Sequence, residues 1–320
     1  MRFPIPLAMA AGCLILAAGP FAQAADNFPT KPIDVIVPYS AGGGVNNMAR
    51  AFAVEAAKDM GQQWVILNRE GGGGVVGFNA LANARPDGYT IGFSPASPMT
   101  NAPFVNPKIP FRNDQIQPVC QVFENVFAIA VKPDSPITDL KDLIERARKA
   151  PKTVSYGHAG PASVGQFSIA AIEQAAHVQF NAIPYRGDGP ALADALGGTI
   201  DFASLGVGTL AGQNMRVLAV FSKKRHPALP DVPSIAELGY PTVSQGLNGL
   251  YVPNGTPGPI VKRFEAVCAK VVASREFIER ASAQSQVPAY LDTQAFSALI
   301  DHTYKSNAQL VKTMGLTTKP

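Results

Sequence analysis

Apolar positions along the chain fall into short runs, each followed by a glycine-rich turn and then by a segment with helical spacing. Residues 33–50, 64–84 and 154–176 all show this order. The pattern predicts strands at 33–37, 64–67, 89–93, 127–131, 154–157, 180–184, 200–205 and 217–221. Several are apolar on both faces, as in sheets covered by helices on each side. Helices fill the intervals. Thr138, with Lys141 and Asp142 behind it, is placed to open a helix over 139–150, where Leu140, Leu143, Ile144 and Ala147 form one stripe and Pro151 follows as a stop. Pro257 begins a periodic stretch through Ile260, Val261, Phe264, Val267 and Val271, and 293–314 is expected to form the last helix. The alternation predicts an α/β architecture, and a chain of 320 residues favours two domains.

Glycine turns ahead of helices suit small anionic ligands. Glycine lets the backbone come close to a bound group, and the helix start offers unpaired N–H donors with a partial positive charge.

The first residues bear on compartment. Arg2 precedes an apolar stretch over 5–18 and then Ala22-Gln23-Ala24, a small-x-small cleavage signal. Residues 1–24 are therefore expected to be an export signal peptide, with the mature chain beginning at Ala25. Pro4, Pro6 and Pro20 crowd a run shorter than the roughly 20 apolar residues of a spanning helix. Ala10 stands where a lipobox prefers leucine, which weighs against lipid attachment at Cys13. Export without an anchor favours the periplasm. Loss of Arg2 leaves 26 basic against 23 acidic residues, or +3, too weak and too interspersed to argue for nucleic acid. Cys120 and Cys268 remain; in an oxidising compartment they permit a disulfide, and two buried free thiols are the alternative.

Longer strings carry a family resemblance. Asn27-Phe28-Pro29-Thr30-Lys31-Pro32-Ile33 leading into Val37-Pro38-Tyr39-Ser40-Ala41-Gly42-Gly43-Gly44 resembles the opening of the Bug/TctC family, the extracytoplasmic solute-binding proteins of tripartite tricarboxylate transporters. The similarity continues in Asn68-Arg69-Glu70-Gly71-Gly72-Gly73-Gly74, Arg85-Pro86-Asp87-Gly88-Tyr89, Tyr156-Gly157-His158-Ala159-Gly160 and Pro184-Tyr185-Arg186-Gly187-Asp188-Gly189-Pro190. It spans essentially the whole mature chain. The resemblance implies a two-lobed, periplasmic-binding-protein-like (type II) α/β fold with an interlobe ligand cleft and a hinge. Lobe 1 would comprise 25–124 and 244–320, and lobe 2 would comprise 125–243, with the crossings near 123–125 and 242–245.

The resemblance also implies the site. Lobe 1 would contribute Tyr39, Ser40, Ala41, Gly42, Gly43, Gly44 and Asn46 from its first turn and Gly72 and Gly73 from its second. Lobe 2 would contribute His158, Ala159, Gly160 and Ser163, then Tyr185, Gly187 and Asp188. Backbone N–H groups of 42–44 and 159–160 would hold carboxylate oxygens, and Tyr39 and Tyr185 would supply hydroxyls and apolar walls. Gly42–Gly44 equally suit a tight strand-to-helix turn.

Departures from the family pattern concern the ligand. Val45-Asn46 stands where Thr-Asp is common, removing a hydroxyl and a charge from the helix start. His158 and Ala162 stand where small Ser and Gly are common, Gln166 replaces a frequent His, and Leu247 replaces an aromatic, which would leave more room. Asp188 would repel a carboxylate unless it pairs with Arg186 or with an ammonium on the ligand, so an amino acid suits it; alternatively it caps the helix near Pro190.

Other chemistries have less support. Gly72, Gly74 and Gly77 fit a dinucleotide fingerprint, but no acid follows at the end of the next strand, Phe93-Ser94-Pro95-Ala96-Ser97. Ser163, His158, Ser94, Asp188 and His177 supply catalytic residue types, but Ala162-Ser163-Val164-Gly165 lacks the leading glycine of a nucleophile elbow. The four histidines have no metal spacing. The expectation is a non-enzymatic, cofactor-free monomer that binds a small organic acid or amino acid. Its partner would be either the permease subunits of a tripartite tricarboxylate transporter or a sensor receptor.

Overall fold

The computed structural model describes residues 27–106, 108–243 and 245–314; the expected signal peptide lies outside them. The chain opens with β1 (Ile33–Val37), α1 (Gly44–Met60), β2 (Trp64–Asn68), α2 (Val75–Ala82) and β3 (Thr90–Pro95). Two single-turn helices, α3 (Ser97–Thr100) and α4 (Ala102–Val105), lead to β4 (Ile116–Asn125). A second set follows: β5 (Phe127–Val131), α5 (Leu140–Lys149), β6 (Ser155–His158), α6 (Val164–Ala176), β7 (Asn181–Pro184), α7 (Asp188–Gly197), β8 (Phe202–Gly206), α8 (Val207–Leu210) and β9 (Arg216–Val220). The chain then returns with β10 (Gly246–Pro253), α9 (Gly258–Val272), α10 (Arg275–Ala283), β11 (Val287–Leu291) and α11 (Thr293–Met314).

The strands form two mixed sheets, one in each lobe. Their orders are β11-β4-β10-β3-β1-β2 and β7-β6-β8-β5-β9. β1 pairs in parallel with β2 and β3, and β6 with β7 and β8; β10 runs antiparallel between β3 and β4. Only Val126 separates β4 of one sheet from β5 of the other, and Phe127 N–H donates to Gln245 Oε1 (2.9 Å) from the returning segment. The two crossings are thus tied side by side.

Each sheet presents a strand end to the cleft because its helices begin there. α1 carries Met48, Phe52, Ala56 and Met60 at helical spacing, all buried. The Phe52 ring sits 5.7, 5.8 and 5.9 Å from Trp64, Phe93 and Phe277, which locks α1 against its sheet. In the second lobe Tyr156 stacks on Phe202 at 5.2 Å, and Phe180 meets Phe202 edge-on at 5.1 Å. α5 has the expected apolar stripe, but its cap is Asp139, whose carboxylate accepts from Asp142 N–H (2.8 Å); Thr138 contributes its own N–H to Asp142 instead.

Three strands escape the sequence pattern. β4 is interrupted by Pro118 and the polar Gln117, Gln121 and Glu124, β10 carries two glycines and Asn248, and β11 contains Pro288. Cys120 and Cys268 form a disulfide, Cα atoms 6.6 Å apart, joining β4 to α9 inside the core; the alternative of two free thiols is excluded.

Candidate functional site

The two lobes meet along facing loops. Ser40 N–H donates to Arg186 O (3.1 Å), Asn101 Nδ2 to Ala162 O (3.1 Å) and Gly44 N–H to Thr209 Oγ1 (2.9 Å), and Arg186 pairs with Glu70 at 3.5 Å. Gly73 and Gly160 touch backbone to backbone: a Cβ on Gly160 would lie 2.8 Å from Gly73 N. Behind this seam lies a cavity of about 30 Å³. At 10–15 Å³ for one water centre, that is room for about two waters, so an organic solute enters only when the lobes part.

One wall of the cavity is Gly43, Gly44, Val45 and Asn46, the start of α1. Gly43 makes no side-chain cap; Gly44 N–H is taken by Thr209, which leaves the first-turn N–H groups of Val45 and Asn46, with the helix's partial positive charge, at this wall. Asn46 is 1% exposed; its Oδ1 accepts from Arg50 Nε (3.1 Å), while its Nδ2 is buried with no partner. The facing wall comes from lobe 2: Ala159, Ser163 and Val164 at the start of α6, and Asp188 in the first turn of α7. Tyr39 lies at the side, its hydroxyl donating to Gly73 O (3.1 Å), and burial pushes its pKa well up.

Asp188 is the one charged residue lining the cavity among the described residues. Its Oδ2 accepts from Gly206 N–H (3.0 Å) and from the Thr209 hydroxyl (3.1 Å); its Oδ1 is buried and unpartnered. Burial raises its pKa to about 6, against the pull of those two hydrogen bonds. Arg186 pairs with Glu70, not with Asp188. Because Thr209 also accepts from Gly44 N–H, a continuous relay joins α1 of one lobe to Asp188 of the other.

Of the expected residues, Tyr39, Gly43, Gly44, Asn46, Ala159, Ser163 and Asp188 line the cavity together. The others stand behind it or on the seam. Ala41, Gly42 and Gly72 are exposed, and Gly187 packs against Ser40. The Tyr185 hydroxyl, expected at the ligand, donates instead to Asp194 Oδ2 (2.6 Å), and burial plus that carboxylate push its pKa up to about 12. His158 bonds through Nδ1 to Gly160 O (2.9 Å), and burial lowers its pKa to about 4. A carbonyl only accepts, so Nδ1 carries the proton. The same nitrogen faces Ser163 Oγ at 3.4 Å and offers it no base.

The structure adds Pro95, Ser97, Asn125, Phe127 and Thr209, which no local motif marks. Gln166 does not reach the cavity: its Oε1 accepts from the N–H of Ala162, whose φ of 63° is left-handed, and so holds that turn. Leu247 packs in the lobe 1 core. Of the glycines in the dinucleotide-like string, Gly74 and Gly77 serve packing, since a Cβ would lie 2.8 Å from Pro98 Cγ and 3.0 Å from Arg69 O respectively. Among the described residues no three His, Cys, Asp or Glu side chains converge on a metal site, and no helix is long and apolar enough to cross a membrane.

A family model described as the tripartite tricarboxylate transporter family receptor, TctC, matches residues 48–316. The chain is 31% identical over 285 residues to protein BugT of Bordetella pertussis, covering 87% of each chain. Its structure is similar to that of periplasmic binding protein BugD (TM-score 0.87, 28% identity, 91% of this chain and 100% of that one). It is also similar to an R. palustris protein solved with adipate (TM-score 0.86, 26% identity, 91% and 99%). With the glycine loops and two-lobed fold described above, these matches establish that the chain belongs to the TctC/Bug family of periplasmic solute-binding proteins.

Proposed function

We propose that this protein captures a small carboxylate-bearing solute between its lobes in the periplasm and delivers it to the permease subunits of a tripartite tricarboxylate-type transporter, without turning it over. The solute classes that fit are a di- or tricarboxylate, an aromatic carboxylate or an amino acid. One observation carries the reading: the first turn of α1 at Val45 and Asn46, with the unpartnered Asn46 Nδ2, lines a cavity whose other wall is the second lobe. A carboxylate there receives backbone and amide donors plus the positive end of a helix. The adipate bound by the R. palustris relative supports the same solute class.

Residues 1–24 are removed on export. Lobe 1 then comprises 25–124 and 244–320, and lobe 2 comprises 125–243. Tyr39, Gly43, Gly44, Asn46, Ala159, Ser163 and Asp188 contact the solute; Ser40, Ala41, Gly42, Gly72, Gly73, His158, Gly160, Tyr185 and Gly187 shape and close the loops around it. Closure adds contacts across the seam that are absent when the lobes are apart, which is what a membrane partner can read. The test is thermal unfolding of the refolded mature chain against di- and tricarboxylates, aromatic and pyridine carboxylates and amino acids. A solute at about 100 times its Kd adds about 2.7 kcal/mol of stability. No response to any carboxylate, or product formed from one, overturns the reading.

A further inference from the structure

The acid inside the cavity says more about the solute than the helix start does. Asp188 is 9% exposed, its Oδ2 is already satisfied by Gly206 and Thr209, and its Oδ1 is left without a donor. No lysine, arginine or histidine lines the cavity beside it among the described residues. The opposite wall is the reverse: Asn46 Nδ2 is a donor without an acceptor in the first turn of α1, where Gly44 N–H alone is held by Thr209. A buried acceptor and a buried donor on facing walls each call for the complementary group.

We propose, on the reading that this cleft captures a carboxylate, that Asp188 selects a solute carrying a protonated nitrogen as well as its carboxylate, so that the site takes a small amino acid in preference to a dicarboxylate. The carboxylate lies against Val45 and the Asn46 amide, Gly44 N–H being held by Thr209, and the ammonium donates to Asp188 Oδ1. Burial already holds the Asp188 pKa near 6. A second carboxylate at this wall therefore binds only with uptake of a proton, whereas an ammonium binds the ionised form directly.

The test uses the refolded mature chain and isothermal titration with the proteinogenic amino acids, their N-acetyl derivatives, malate, succinate and adipate, in two buffers of different ionisation enthalpy. The expected result is an amino acid that binds at pH 7.5 without proton uptake, at least tenfold tighter than its N-acetyl derivative and than any dicarboxylate. Asp188→Asn turns the free acceptor into a donor, and is expected to reverse that order. Comparing each amino acid with its N-acetyl derivative on the wild-type protein needs no variant to fold. Tight dicarboxylate binding with silence from every amino acid overturns the proposal and leaves carboxylate capture standing. Silence from every carboxylate, amino acids included, overturns both.

Discussion

Replacing Gly73 by alanine separates lobe closure from folding. Gly73 sits at φ 65°, and a Cβ built on it overlaps the Pro161 carbonyl oxygen of the other lobe. Non-bonded heavy atoms settle at about 3.5–4.0 Å, so the lobes must part there by on the order of an ångström. Besides the exposed Arg186–Glu70 pair, hydrogen bonds from Ser40 to Arg186, Asn101 to Ala162 and Gly44 to Thr209 span the cleft at 3.1, 3.1 and 2.9 Å. That separation takes them out of range. At about 0.5–1.5 kcal/mol each, their loss costs the closed form about 1.5–4.5 kcal/mol. Affinity for the solute then falls about 10- to 1000-fold, since 1.4 kcal/mol is tenfold. The left-handed backbone itself costs alanine about 1–2 kcal/mol, open or closed. Gly61→Ala controls for that cost: Gly61 has φ 70°, belongs to the same lobe, and a Cβ there meets nothing within 4 Å. Thermal unfolding with and without the solute, together with small-angle scattering, reads both effects. The two variants are expected to lose similar stability without solute, and Gly73→Ala alone to lose the solute-induced shift and compaction. Wild-type affinity in Gly73→Ala would refute the reasoning.

Three further outcomes are expected. Reducing the Cys120–Cys268 disulfide, which spans 148 positions, should lower stability by about 2–5 kcal/mol in urea unfolding with and without reductant. Because the folded state holds the Asp188 proton up to about pH 6, the stability that Asp188 confers is complete below its ordinary value of 3.8 and is lost as pH rises through 6. Asp188→Asn should therefore be more stable than wild type at pH 7 by on the order of 3 kcal/mol, with the difference vanishing between pH 6 and 4 in a urea series. Thr209→Val should break the relay from Gly44 to Asp188 and weaken solute binding about tenfold, read by titration, with unchanged circular dichroism.

Much of the fold was legible because its strands are short apolar runs and its helices carry regular stripes; α11 occupies the expected 293–314. β10 was not, because all of its eight residues are buried in the middle of a sheet and it has no alternation to display. The glycine loops marked the cleft, and seven of the sixteen expected residues line the cavity. Loop position did not fix side-chain direction: His158 turns to Gly160 O and Tyr185 to Asp194. Thr209 carried no local signal, since only the β8–α8 turn, folded across the cleft, brings it to Gly44.

The departure at Val45-Asn46 gains a meaning from the other wall. Where the family often places Thr-Asp at the start of α1, this chain has a neutral amide there, and its acid stands across the cavity at Asp188. The helix start carries no acid of its own, and Asn46 Nδ2 is added as a donor for a carboxylate. The negative charge stands instead on the other lobe, close beside the helix start, where a Cβ on Gly43 would lie 3.8 Å from Asp188 Cβ. At about 5 Å and an effective dielectric near 20, a like charge beside Asp188 costs roughly 3 kcal/mol and an opposite one gains as much. That difference corresponds to a factor on the order of 10⁴ between a second carboxylate and an ammonium before desolvation is counted. Even if desolvation cancels half of it in free energy, roughly 100-fold discrimination remains, so the pair Asn46 and Asp188, more than the glycines around them, determines which solute this cleft retains.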